Sequence, residues 1–153
     1  MSQAFVRERE GGEAFEDLPD RPISPHPNFV TPEGLARIEA EVERLRAEFA
    51  ALEPGAKADE ARVSRDLNYW SARLGSAELV EAEPGAVVRF GSRVTILRDD
   101  DTQQTYRIVG EDEADPTQGT LSYVSPLARA LTGKVAGDVV EVNGREAEVA
   151  EVA

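Results

Sequence analysis

Between residues 31 and 80 apolar side chains recur in steps of three and four. Leu35, Ile38, Val42, Leu45, Phe49 and Leu52 carry the pattern first, and Val63, Leu67, Trp70, Leu74 and Ala77 carry it again. Residues at these spacings share one face of an α-helix, so two amphipathic helices are predicted, each with the a/d seam of a coiled coil. Glu53-Pro54-Gly55 separates them, and proline inside a helix removes an N–H and clashes with the preceding turn. A link this short predicts that the second helix folds back antiparallel on the first. Thr31-Pro32 suits the start of the first helix, with an N-cap hydroxyl followed by proline at the first helical position.

After residue 80 the periodicity changes. Residues 81–85 form a linker with a Pro-Gly turn, and short β-branched runs follow at 87–90, 93–97, 105–109, 120–124, 139–142 and 146–152. Asp99-Asp100-Asp101 reads as a turn, residues 110–119 as an acidic loop, and Asn143-Gly144 as a two-residue hairpin turn. Ser125-Pro126 caps a short helix that runs to Leu131 and ends at Gly133. The expected fold class is therefore α+β. A helical hairpin at 31–80 and a linker at 81–85 precede a domain at 86–153 of mostly antiparallel sheet with one short helix. Residues 1–30 show no periodicity. Glu8, Glu10, Glu13, Glu16, Asp17 and Asp20 outweigh Arg7, Arg9 and Arg21, and Pro19, Pro22, Pro25 and Pro27 favour extended backbone. The stretch reads as an acidic, Pro-rich tail, or alternatively as an arm that docks through Ile23, Phe29 and Val30.

Charge narrows the partners. The 153 residues hold 17 basic and 30 acidic side chains, a formal net charge of −13, which repels phosphate backbones and excludes free nucleic acid as a primary partner. The absence of cysteine rules out disulfides, thiolate chemistry and sulfur-ligated zinc. His26, the one histidine, lies in the Pro-rich segment and reads as a solvated loop residue rather than a catalytic group. No apolar run approaches the roughly 20 residues of a membrane span, and the N-terminus lacks the apolar stretch of a signal peptide, so a cytoplasmic protein without a membrane partner is expected.

Chemistry-bearing patterns are sparse. The clusters 99–101 and 111–115 lack the glycine and terminal glutamate of a calcium loop and read as solvated turns, with no intrinsic metal site. There is no phosphate-cradling glycine pattern and no nucleophile elbow, so a self-contained enzyme is not expected. Arg37 and Arg44, one heptad apart, together with Lys57 and Arg62 near the hairpin turn, form either a basic stripe or one side of a salt-bridged face with Glu39, Glu41, Glu43 and Glu48. Glu53, Asp59 and Glu60 place carboxylates at the tip. They either complement the helix dipole or deliver negative charge to a metal ion held elsewhere.

Residues 108–115 (Ile-Val-Gly-Glu-Asp-Glu-Ala-Asp), 125–131 (Ser-Pro-Leu-Ala-Arg-Ala-Leu), Gly133-Lys134 and Gly137-Asp138 closely resemble the C-terminal domain of the bacterial Gre transcription elongation factors. Residues 30–35 and 77–80 resemble the start and end of that family's helical hairpin, so the resemblance runs from Val30 to the C-terminus. It implies a protruding antiparallel coiled coil and a domain of FKBP-like fold. It further implies a monomer bound to bacterial RNA polymerase, meeting nucleic acid only within the elongation complex. Asp112, Asp115, Ser125, Pro126, Leu127 and Arg129 are the polymerase contacts this resemblance suggests, with the hairpin inserted into the secondary channel. In the family, tip carboxylates help hold the second magnesium ion and its water, so that the polymerase itself cleaves backtracked RNA. The acidic tip motif of the family is missing here, and each arm is shorter by some two to three turns, roughly 10–15 Å of reach. Coordination to magnesium tolerates no such gap. The expectation is a regulator that modulates or inhibits, with no cofactor beyond a polymerase-held Mg2+ shared at the tip. The alternatives are a genuine cleavage factor in which Asp59 and Glu60 replace the missing acids, an FKBP-like isomerase or chaperone, and a bare coiled-coil adaptor.

Overall fold

The computed structural model describes residues 18–153, and the acidic positions from Glu8 to Asp17 lie outside the described residues. The chain divides into two compact units, one containing 18–25 with Ile38–Ser76, the other containing His26–Arg37 with Ala77–Ala153.

The first unit is a helical hairpin. Helix α1 spans Pro32–Ala50, its opening turns belonging to the second unit, and helix α2 spans Lys57–Ser76. Gly55 adopts φ 88° in the link, a left-handed conformation open to glycine without a Cβ penalty. The chain reverses there, because Arg62, early in α2, donates to Glu48, late in α1, at 2.8 Å. Ile38, Val42 and Leu45 of α1 are buried with Val63 of α2, as the three-four spacing predicts. Elsewhere the seam departs from expectation. Phe49 is 44% exposed at the rim of a groove that also includes Leu18, Lys57 and Ala61. On α2 the fully buried residue besides Val63 is Arg73, while Leu67, Trp70 and Leu74 are half-buried, so the buried line drifts away from the expected a/d face.

Part of the Pro-rich N-terminal stretch lies on this hairpin. The Arg21 guanidinium carbon sits 3.9 Å from the centre of the Tyr69 ring and 5.8 Å from that of Trp70. Its Nη1 donates to Asp66 Oδ1 at 3.4 Å. An exposed cation–π contact contributes about 0.5–1 kcal/mol and an exposed ion pair about 0.2–1 kcal/mol. Fixing one residue's backbone costs about 1–2 kcal/mol, of the same size as these two contacts together. Leu18 lines the groove beside Phe49 and is 37% exposed, whereas Ile23 is 47% exposed.

The second unit is built on a five-stranded sheet of order β5-β4-β3-β7-β6. Its strands are β3 (Arg93–Arg98), β4 (Gln103–Val109), β5 (Thr120–Ser122), β6 (Val139–Val142) and β7 (Arg145–Val152). Neighbours run antiparallel except β4 and β5, which are parallel. Alternation along β3 and β7 sends Val94, Ile96, Ala147 and Val149 inward. There they meet Val88, Ile108, Leu121 and Val140, and helix α3 (Pro126–Leu131) closes the core with Ala128 and Leu131. Residues 87–90, expected as a strand, are not one. Val88 N donates to Lys134 O at 2.9 Å and Val88 O accepts from Gly133 N at 2.8 Å, a single pairing that ties Val88 to the end of α3 without a ladder.

A second, parallel pair joins β1 (Phe29–Val30) to β2 (Glu78–Leu79). Residues 77–80, expected as the end of the second helix, thus leave the helix at Ser76. The N–H groups of Glu78 and Val80 donate instead to Asn28 O and Val30 O at 2.8 and 2.9 Å. Of the three anchors expected in the N-terminal arm, Val30 is buried and Phe29 packs on Phe90 and Tyr123, at centroid distances of 6.1 and 5.2 Å. Ile23 remains exposed.

Candidate functional site

The loop after β4 carries the densest acidity in the second unit. Its centre is Glu113, whose Oε1 accepts from the Thr31 hydroxyl at 2.5 Å and whose Oε2 accepts from Thr31 N at 3.1 Å and Gly110 N at 3.3 Å. Thr31 in turn caps α1, its Oγ1 accepting from Gly34 N at 3.0 Å. Asp115 caps the 3-10 turn Pro116–Gln118, accepting from Thr117 N at 3.1 Å and Thr117 Oγ1 at 2.6 Å. Glu111, Asp112 and Glu113 are only partly exposed. The run expected to be a solvated turn is therefore a capping device with two carboxylates committed to backbone donors. Among the described residues no group of three acidic or imidazole side chains is arranged to hold a metal ion.

At the start of α3, Ser125 Oγ accepts from Ala128 N at 3.3 Å and Pro126 stands at the first helical position. Leu127 is half-buried against the sheet core, whereas Pro126 and Arg129 face solvent. Ser125, Pro126 and Leu127 line one open groove with Arg98 and Arg145; Asp112, Asp115 and Arg129 lie outside it. The two arginines were not read from the sequence. Only the sheet register brings them in, since Arg98 pairs with Ala147 and Arg145 with Val142. Arg98 is fixed by Gln104 Oε1 at 3.0 Å and Glu146 O at 3.4 Å. Asp100 is held below the usual carboxylate range, first by the Thr102 hydroxyl, with Arg145 adding a smaller favourable charge. His26, read as a solvated loop residue, has its Nε2 3.4 Å from Arg129 Nη2. Next to it the Tyr123 hydroxyl donates to Pro27 O.

The hairpin presents a different surface. Arg44 donates to Glu41 at 2.5 Å and to Glu48 at 3.1 Å, and Arg62 to Glu48 at 2.8 Å. Glu48 is held below its ordinary range by the Arg62 hydrogen bond first, and Glu41 by that of Arg44. Arg44 and Arg62 are therefore ion-paired, Lys57 lies at the start of α2, and Arg37 belongs to the second unit. Of the tip acids, Glu53 is exposed, Asp59 lies 3.8 Å from Arg62 Nη2, and Glu60 lines the groove beside Phe49. Their surroundings differ, and among the described residues they form no group of three metal-ligating side chains.

Comparison with known proteins fits the pattern of this chain. Residues 83–153 match the family described as transcription elongation factor, GreA/GreB, C-term. The transcription elongation factor GreA of Hyphomonas neptunium is 43% identical over 90 residues, a match spanning 57% of this chain and 57% of that relative. GreA of Rhodospirillum rubrum is 36% identical over 135 residues, covering 74% of this chain and 86% of its own length. GreA of Rhizobium meliloti is 37% identical over 130 residues, covering 84% and 80%. The crystal structure of GreA factor homolog 1 of Thermus thermophilus aligns with 84% of this chain and 99% of its own, at 21% identity and a TM-score of 0.42. On the extent and identity of the GreA matches, the chain belongs to the GreA/GreB family of transcription elongation factors.

Proposed function

We propose that this chain binds bacterial RNA polymerase and regulates transcription elongation by modulating or inhibiting it, rather than by stimulating RNA cleavage. The second unit docks through the surface around α3, with Pro126 and Arg129 exposed and Leu127, Ser125, Asp112 and Asp115 shaping it. The hairpin enters the secondary channel, and the factor acts as a monomer in the cytoplasm. Family membership supports the polymerase as partner, and the matched region contains this surface. The observation that carries the choice of mode is the tip itself. Asp59 stands beside Arg62 and Glu60 beside the groove, and among the described residues they belong to no group of three or more metal-ligating side chains. Magnesium held by the polymerase needs ligand oxygens at about 2.0–2.1 Å, a tolerance that arms shorter by some two to three turns would not meet. An isomerase reading finds less support, because Phe90 and Tyr123 are already packed by Phe29.

Competition with a full-length GreA for RNA polymerase tests the reading. The wild type should displace GreA, and Ser125→Glu with Arg129→Glu should not. Undiminished displacement by the double variant would move the interface away from α3, and no displacement by the wild type would remove the polymerase as partner.

A further inference from the structure

Arg21 lies against a set of groups that together read a guanidinium. Asp66, Tyr69 and Trp70 stand at positions i, i+3 and i+4 of α2, so all three share one helical face. Tyr69 and Trp70 pack edge to face, with centroids 5.1 Å apart at 86°. Their arrangement offers the planar cation a ring to stack on and a ring beside it. Asp66 supplies the carboxylate at 3.4 Å. From the other arm, Glu41 lies close enough for the Arg21 charge to lower its pKa further, after the larger effect of Arg44. An aromatic face and a carboxylate suit arginine better than lysine, because only a guanidinium stacks flat and forks to a carboxylate at once.

We propose that Asp66, Tyr69 and Trp70 form an arginine-recognition site that Arg21 occupies in cis, and that an arginine on the surface of the protein partner competes for it. Two observations favour exchange over a permanent fastening. The ion pair is part-exposed, with side-chain accessibilities of 34% and 32%, so a second guanidinium reaches the site from solvent. The neighbouring Ile23 is 47% exposed and anchors little. The net charge of −13 draws a basic surface to this chain and makes an arginine-bearing protein the fitting competitor. Displacement then frees residues 18–25 from the hairpin while the partner's arginine takes over the aromatic pair. The polymerase is that partner under the function proposed above; the site itself is argued from its own geometry.

Trp70 is the one tryptophan of the chain, so its fluorescence and its indole N–H resonance report on the site directly. The experiment titrates the free protein with arginine amide and with lysine amide. In Arg21→Ala the Trp70 signal should saturate with arginine amide, with lysine amide weaker by about fivefold or more. The wild type should need about tenfold more arginine amide, because the tethered Arg21 acts at a high effective concentration. Asp66→Asn added to Arg21→Ala should erase the preference for arginine. Arg21→Lys, which keeps the charge and loses the planar fork, should fall between the wild type and Arg21→Ala. Identical curves for the wild type and Arg21→Ala, an equal response to the two amides, or no saturation in Arg21→Ala would each overturn the proposal. Loss of helix content in Arg21→Ala would do the same, by making Arg21 a structural residue. No polymerase is present in this experiment, so its failure leaves the polymerase reading standing.

Discussion

Glu113 holds Thr31 with both carboxylate oxygens, one on the hydroxyl and one on the backbone N–H, across 82 residues of sequence. The grip fixes the cap of α1 to the loop that follows β4. It also explains Gly34, since a Cβ there would stand 2.0 Å from Glu113 Oε2.

Removing the carboxylate should therefore be costly. Glu113→Ala leaves the Thr31 N–H without its acceptor and should destabilise the second unit by about 1–3 kcal/mol, read from denaturant melts. Gly34→Ala alone should also destabilise, although alanine is the better helix former by about 1 kcal/mol. Combined with Glu113→Ala the clash disappears, and Gly34→Ala should turn neutral or stabilising. A Gly34→Ala effect of the same sign and size in both backgrounds would contradict the proposed contact.

The hairpin seam gives a second test. Leu45 is fully buried, and Leu45→Asp places a carboxylate inside the apolar seam with Ile38, Val42 and Val63. The expected loss is several kcal/mol, about 3–5 by analogy with breaking a buried pair, confined to the hairpin unit. Circular dichroism should show reduced helix content, while amide exchange protection in β3, β4 and β7 persists because that core is separate.

Periodicity identified both helices, because burying a helical face requires a spacing that survives in sequence; Ile38, Val42, Leu45 and Val63 are its record. Their reversal was legible in the short Glu53-Pro54-Gly55 link. Turn chemistry did the same for Asn143-Gly144 and for the Ser125 cap, where one residue type answers one backbone need. Contacts that depend on distant register were not legible. The Glu113–Thr31 cap and the Arg98–Arg145 flank of the groove join residues that no local spacing connects. Residues 77–80 misled for a related reason. Their helical likeness was local, while the acceptors Asn28 O and Val30 O that make them a strand lie about fifty residues earlier. Arg21 read as one charge in a tail, because nothing in residues 18–25 announces the aromatic face on α2.

The lowered carboxylates of the hairpin should contribute to its acid response. Glu41 and Glu48 ionise more readily in the folded state than at their ordinary value of 4.5, owing to hydrogen bonds from Arg44 and Arg62. A carboxylate lowered in this way stabilises the fold above that value, and the contribution is lost as pH falls through the lower folded value. Helix melting should thus be flat from neutral pH down to about 5 and weaken below about 4.5. Arg44→Met with Arg62→Met should flatten that acid limb, and high salt should shrink it. An unchanged limb in the double variant would assign the acid loss to other groups.

Capping at α3 can be separated from docking. Ser125→Ala removes the acceptor for Ala128 N and should cost about 1 kcal/mol, whereas Ser125→Asp keeps an acceptor at the N-cap and should cost less. Thermal melts of the three proteins decide it. Equal losses in Ala and Asp variants would show that the hydroxyl does more than cap.

Under the function proposed above, this chain would occupy RNA polymerase without speeding RNA cleavage. The most direct measurement is the rate of transcript cleavage in stalled, backtracked elongation complexes, with and without saturating protein, alongside GreA as a positive control. No acceleration by this chain is expected, nor any change with Asp59→Asn and Glu60→Gln, and the acceleration due to GreA should be suppressed when both are present. Strong acceleration by the wild type that this pair of substitutions removes would contradict the proposed function, and would make the tip acids the functional groups.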